Sequence, residues 1–177
     1  THSDPVPDGF NWDLWLGVCA ERPFIGNDYY HPVNWRKRID FGTGTFGDMG
    51  CHIFDPVFSA LDLHAPLTVR SEGPAPSQWN WALNSSIHYV FPGNARTAEK
   101  TLSVNWYDGD AKPPAEVLKL LEGDERPGAG SIFVGTEGVL VLPHWSRPLL
   151  YPDANTPGLI PSLILGGIPN VPTVATT

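Results

Sequence analysis

A chain of 177 residues with net charge −8 and a pI near 5.0 is too acidic to favour a nucleic-acid backbone, so no nucleic-acid partner is expected. Apolar residues make up 41% and charged ones 17%, enough to bury a core. No apolar run approaches the roughly 20 residues that a spanning helix needs, so no membrane partner is expected either.

Nineteen prolines, 18 glycines and seven tryptophans predict long, aromatic-rich loops of the kind that face ligands. Residues 1–9 read as an extended lead-in with turn chemistry. Phe10–Leu16 forms a short amphipathic helical turn, with Asn11 as its cap and Trp12, Trp15 and Leu16 on one side. Cys19 to Arg38 is loop, ending in Tyr29-Tyr30-His31-Pro32-Val33-Asn34-Trp35-Arg36. Such a loop is either surface packed on the core or a wall of a polar-ligand pocket. The two cysteines, Cys19 and Cys51, make neither a disulfide framework nor a four-cysteine zinc site and read as buried free thiols.

The stretch from Asp40 to Leu63 organises the chain. Glycines 42, 44 and 47 permit positive φ and close backbone approach. Met49, Ile53, Phe54, Val57, Phe58 and Leu61 then follow at the spacing of one helix face. On that helix Asp48, His52 and Asp55 fall along one polar stripe, within about 10 Å of axis. A carboxylate one turn from an imidazole orients a proton-transferring histidine. The same residues also suit a plainer arrangement, with Asp48 as helix N-cap and His52 half-buried. Pro56 is expected to kink or shorten the helix.

Leu67–Ser71 is strand-like. Ser86–Phe91 and Lys100–Trp106 alternate as adjacent antiparallel strands with Ile87, Tyr89, Phe91 and Leu102, Val104, Trp106 facing inward. Ala115–Leu121 is a short helix ended at Gly123, and Ser131–Leu142 a hairpin with Glu137-Gly138 at its tip. The fold class is α+β, with an open, predominantly antiparallel sheet and helices on one face. One domain is expected over residues 1–153, followed by an uncharged Gly/Pro-rich tail over 154–177. No G-x-G-x-x-G after a strand, no G-x-S-x-G and no H-E-x-x-H occurs.

The ordered motifs Phe10-Asn-Trp-Asp-Leu-Trp-Leu-Gly17, His31-Pro-Val-Asn-Trp-Arg36, Asp40-Phe-Gly-Thr-Gly44 and Gly47-Asp-Met-Gly-Cys-His-Ile-Phe-Asp55 resemble the Gfo/Idh/MocA oxidoreductases. The likeness is to the C-terminal domain of the bacterial subgroup. Trp106-Tyr-Asp-Gly109, Pro113-Pro114 and Ile132–Gly138 extend it to about residue 152. The resemblance implies a sheet that carries the substrate and often a homo-oligomer interface, joined in such enzymes to a Rossmann domain binding NAD or NADP. It implies Asp48 and His52 as catalytic residues, with His52 taking a hydroxyl proton. It further implies His31, Trp35, Arg36 and Asp55 at a sugar or polyol substrate, and Gly44 and Gly47 beside the cofactor. The Rossmann fingerprint is absent from these residues, so the chain alone is expected not to oxidise anything.

Three alternatives stand beside that expectation. One is an NAD-assisted glycosidase, in which the cofactor is recycled within a turnover. Another is a metal-dependent hydrolase or lyase with His52, Asp55 and His31 or His64 as ligands, although no local motif specifies the third. The last is a non-catalytic carbohydrate-binding or dimerisation module.

Overall fold

Seventeen residues, Gly44–Ala60, form the longest helix (α2) of the computed structural model, which describes residues 2–121 and 127–152. The chain divides into two compact units, residues 1–113 and 114–177.

The first unit is built on α2 and a three-stranded antiparallel sheet, β1 (Thr68–Glu72), β2 (Ser86–Pro92) and β3 (Thr101–Tyr107), in the order β1-β2-β3. The register sets Tyr89 opposite Val69 on one side and Val104 on the other, and Phe91 opposite Leu102. Because side chains alternate along a strand, Ile87, Tyr89 and Phe91 share one face with Leu102, Val104 and Trp106. That face receives α2. Phe46 meets Trp106 edge-on at 4.8 Å, Phe54 lies 5.2 Å from Tyr89, and Phe58 is 6.2 Å from Phe91. Phe91 is 1% exposed, and Val57 is buried on the helix. Burial raises the pKa of the Tyr89 phenol.

Both ends of α2 are fastened by distant loops. Its C-terminal carbonyls would be left without intrahelical partners. Asn94 Nδ2 donates to Leu61 and Asp62 carbonyls at 2.8 and 3.1 Å, and Arg96 Nη1 to the Ala60 carbonyl at 2.6 Å. The Arg96 charge also suits the negative end of the helix dipole. Pro56 lies inside the helix, which runs on through it to Ala60 instead of stopping there.

Ahead of α2, the helix α1 (Trp12–Leu16) is capped by Asn11, whose side chain accepts from the Leu14 N–H at 2.9 Å. Trp12 and Trp15 stack at 5.0 Å. Phe24, Tyr30 and Phe41 surround them, with Trp15 at 4.6 Å from Phe41 and Trp12 at 5.3 Å from Tyr30. An aromatic cluster thus anchors the 19–41 loop without a sheet beneath it. The loop's two ends are tied by an Arg22–Asp40 ion pair at 2.5 Å. Burial alone would lower the Arg22 pKa, but the hydrogen bond and charge of Asp40, helped by Tyr30, leave it raised. The cysteines are free, with Cys51 exposed and Cys19 only half-buried. This corrects the expectation of buried thiols: Cys51 lies on the solvent side of α2, and the Cys19 thiol donates to the Asp40 carbonyl near the surface.

The second unit has a short helix, α3 (Ala115–Lys119), and a separate antiparallel sheet of β4 (Gly130–Gly135), β5 (Gly138–Pro143) and β6 (Leu149–Pro152) in that order. Its core is Leu121, Val139 and Val141, with Ile132 and Tyr151 packed against them. The hairpin turns on Thr136-Glu137, one position earlier than the sequence signal, because Gly138 already pairs with Gly135. The antiparallel α+β architecture is therefore present, its strands shared between two sheets. The expected helix stop at Gly123 and the tail over 154–177 lie outside the described residues. No helix among the described residues is long and apolar enough to cross a membrane.

Candidate functional site

The apolar side of α2 is committed to the sheet, which decides where its polar stripe goes. At 100° per residue, Asp48, His52 and Asp55 lie within a narrow arc roughly opposite Val57. The stripe therefore faces away from the β1–β3 sheet. His52 and Asp55 are exposed and Asp48 is half-buried. The helix cap is Thr43 and Asp48 sits well inside the helix, so Asp48 does not serve as N-cap.

Arg36 reaches this stripe from the 19–41 loop. Asn34–Lys37 forms a single 3-10 turn, started by a hydrogen bond from the Trp35 N–H to the Tyr30 carbonyl at 2.6 Å. Tyr30 is fixed by the aromatic cluster, being 5% exposed, so the turn inherits a rigid base. From it Arg36 Nε donates to Asp48 Oδ2 at 2.8 Å. The guanidinium also lies over the Trp35 ring at 4.6 Å, while Trp35 Nε1 donates to the Pro32 carbonyl at 3.1 Å. Packing and pairing together fix the Arg36 side chain. With both partners about one-third exposed, the pair is worth on the order of 1 kcal/mol or less in stability, so its main consequence is orientation of the carboxylate.

The structure thus brings together Asp48, Arg36 and Trp35, and carries His52 and Asp55 on the same helix face one and two turns further along. His31 belongs to the aromatic cluster, its exposed ring 5.7 Å from Phe10 and 6.1 Å from Trp15. Among the described residues no three His, Cys, Asp or Glu side chains converge as a metal site, and the metal alternative gains no ligand set.

The glycines before the stripe have reasons within the chain. A Cβ at Gly42 would stand 2.4 Å from the Arg36 carbonyl oxygen, and one at Gly47 would stand 2.3 Å from Thr43 Oγ1. Gly44 has φ +73°, and a Cβ there would be 2.9 Å from Trp81 Cβ. Close approach, expected at these positions toward a ligand, is made at each to the protein's own groups.

Trp81 belongs to a segment that no sequence signal singles out. Residues 79–81 lie antiparallel to 37–39 through an isolated bridge between Arg38 and Asn80. Trp81 N–H donates to the Lys37 carbonyl at 2.9 Å and Ile39 N–H to the Trp79 carbonyl at 3.1 Å. Trp81 Nε1 then donates to the Gly42 carbonyl at 2.7 Å, pinning the loop that leads into α2. Arg38 Nη1 bonds Asn80 Oδ1 at 2.6 Å, with its guanidinium 3.7 Å from the Tyr29 ring centre. The clamp joins residues some forty positions apart; only the tryptophans themselves could have hinted at it.

Residues 1–94 match a family described as the oxidoreductase family, C-terminal alpha/beta domain, of the Gfo/Idh/MocA group. The chain belongs to the Gfo/Idh/MocA oxidoreductase family. The match runs from the lead-in through β2, so α1, the Arg36 turn and all of α2 are family structure. The motifs at 106–109, 113–114 and 132–138 fall beyond the matched residues of this Gfo/Idh/MocA domain. No curated protein matches the chain in a sequence comparison.

Proposed function

We propose that this Gfo/Idh/MocA domain is the substrate-binding and catalytic half of an NAD(P)-dependent oxidoreductase acting on a hydroxyl of a sugar, polyol or glycoside. One observation carries the reading. The outward stripe of α2 holds Asp48 in a 2.8 Å ion pair with Arg36, and an exposed His52 stands one turn away. A fixed carboxylate beside an accessible imidazole is the arrangement for drawing a proton from an alcohol.

In this reading His52 accepts the hydroxyl proton and Asp48 orients it, while Arg36 is a positioning residue that holds Asp48. Trp35, with one ring face under Arg36, and His31, at the rim of the aromatic cluster, offer rings and a polar edge to the substrate. Asp55 adds a hydrogen-bond acceptor further along the stripe. The residues fit a nicotinamide cofactor: the stripe is accessible, and Gly47 on the first turns of α2 is exposed. Gly47 would lie against it, Gly44 being buried under Trp81, and when bound it would supply the hydride acceptor. The sheet face turned away from α2 bears Arg70, Glu72, His88 and Asn105, with His88 Nδ1 2.7 Å from Asn105 Oδ1. Self-association of the domain is assigned to that face.

The test is turnover in the protein joined to its nucleotide-binding domain. His52→Ala is expected to lower kcat by roughly 100-fold or more, the usual contribution of a positioned general base. Unchanged turnover refutes the assignment.

A further inference from the structure

We infer that Trp79 is a stacking platform for a second, non-reacting ring of the substrate, so that the site takes a glycoside or disaccharide in preference to a single sugar. The inference rests on the sugar reading above and adds a subsite to it.

Trp79 is 59% exposed, yet its backbone is immobilised. Its N–H donates to Ser77 Oγ at 3.2 Å, its carbonyl accepts from Ile39, and the Arg38–Asn80 bridge follows directly. Among the described residues its ring packs on no other aromatic ring. Trp12, Trp35, Trp81 and Trp106 each spend their indole N–H on a protein acceptor, whereas among the described residues Trp79 Nε1, like those of Trp15 and Trp145, has none. A large apolar ring on a fastened backbone, with a free donor on its edge, has only two side-chain torsions to lose when a ligand covers it.

Its position follows from the pairing. Asn80 turns its side chain to Arg38, so Trp79 and Trp81 project together from the opposite side of the extended segment. Trp81 lands on Gly44, one helical turn before Asp48. Because 79–81 runs antiparallel to 37–39, Trp81 sits at the Arg36 end and Trp79 one step of about 7 Å further out. The order along the paired segments is Arg36, which holds Asp48, then Trp81 at Lys37, then Trp79 at Ile39. A step of that length is about one sugar ring. The C–H bonds on the flat face of a pyranose carry partial positive charge and suit the negative π-face of indole. The ring hydroxyls can accept the unused Nε1–H.

Retention of the intact protein on an array of neutral mono-, di- and trisaccharides, followed by calorimetric titration of the retained glycans, tests this. The expected result is retention of at least one di- or trisaccharide. Trp79→Ala is expected to weaken that binding roughly five- to tenfold and to leave any monosaccharide binding within about twofold. Trp79→Phe should keep most of the affinity, and Trp145→Ala, at an exposed tryptophan of the second unit, should change nothing. Equal binding by wild type and Trp79→Ala, or retention of monosaccharides only, overturns the subsite while leaving the His52 assignment standing. Retention of no glycan overturns the sugar reading and the subsite together.

Discussion

The two sides of α2 are built under opposite rules. The inner side is fixed by exclusion of water: Phe46, Phe54 and Phe58 each meet a ring of β2 or β3, and Phe91 beneath them is almost wholly buried. The outer side buries little, and a single ion pair from a loop twelve residues upstream holds its carboxylate. Stability resides on the first side, and the proposed function assigns the chemistry to the second. A helix that serves both needs its rotation about its own axis set accurately. The fastenings at its two ends, Trp81 at Gly42 and Gly44 and Asn94 with Arg96 at the C-terminus, supply that.

Substitutions on the two sides should therefore separate. The largest loss of stability is expected for Phe91→Ala, which empties a fully enclosed ring site and should cost about 3–5 kcal/mol in denaturant unfolding. A cost under 1 kcal/mol would mean that α2 does not depend on this face. Next comes the fastening. Gly44→Ala forces a side chain into positive φ and against the rigid root of Trp81, for a loss of about 2 kcal/mol. Gly50→Ala on the same helix meets only the Phe46 ring edge at 3.9 Å and should instead stabilise by about 0.5–1 kcal/mol through helix propensity. Equal effects at the two glycines would remove the argument for Trp81 as a clamp. The smallest change in stability is expected on the outer side. Arg36→Ala should cost below about 1 kcal/mol, and salt should diminish that difference, as befits a partly exposed ion pair.

The inner side was legible in the sequence because its spacing is local. Residues 53, 54, 57, 58 and 61 announce a helical face, and the alternation at 86–91 and 101–106 announces the strands that cover it. The polar stripe came with the same periodicity, so Asp48, His52 and Asp55 were placed together without knowledge of the fold. What holds Asp48 was not legible. Arg36 and Trp35 stand out as residue types, but their meeting with the helix depends on a 3-10 turn seated on Tyr30. The Trp79–Trp81 clamp depends on a bridge between segments forty residues apart, which no local pattern encodes. Glycines 42, 44 and 47 are legible as sites of close approach, but which group approaches is settled by the fold: Arg36, Trp81 and Thr43. Strand β6 is not legible, because three residues between prolines carry little alternation.

In the proposed function the outer side of α2 does chemistry that the fold does not need. The most direct measurement is turnover and thermal unfolding of His52→Ala, made on one preparation of the protein with its nucleotide-binding domain. The expected result is a fall in kcat of roughly 100-fold or more with the melting temperature within about 2 °C of wild type. A melting temperature lowered by many degrees with turnover preserved would contradict it.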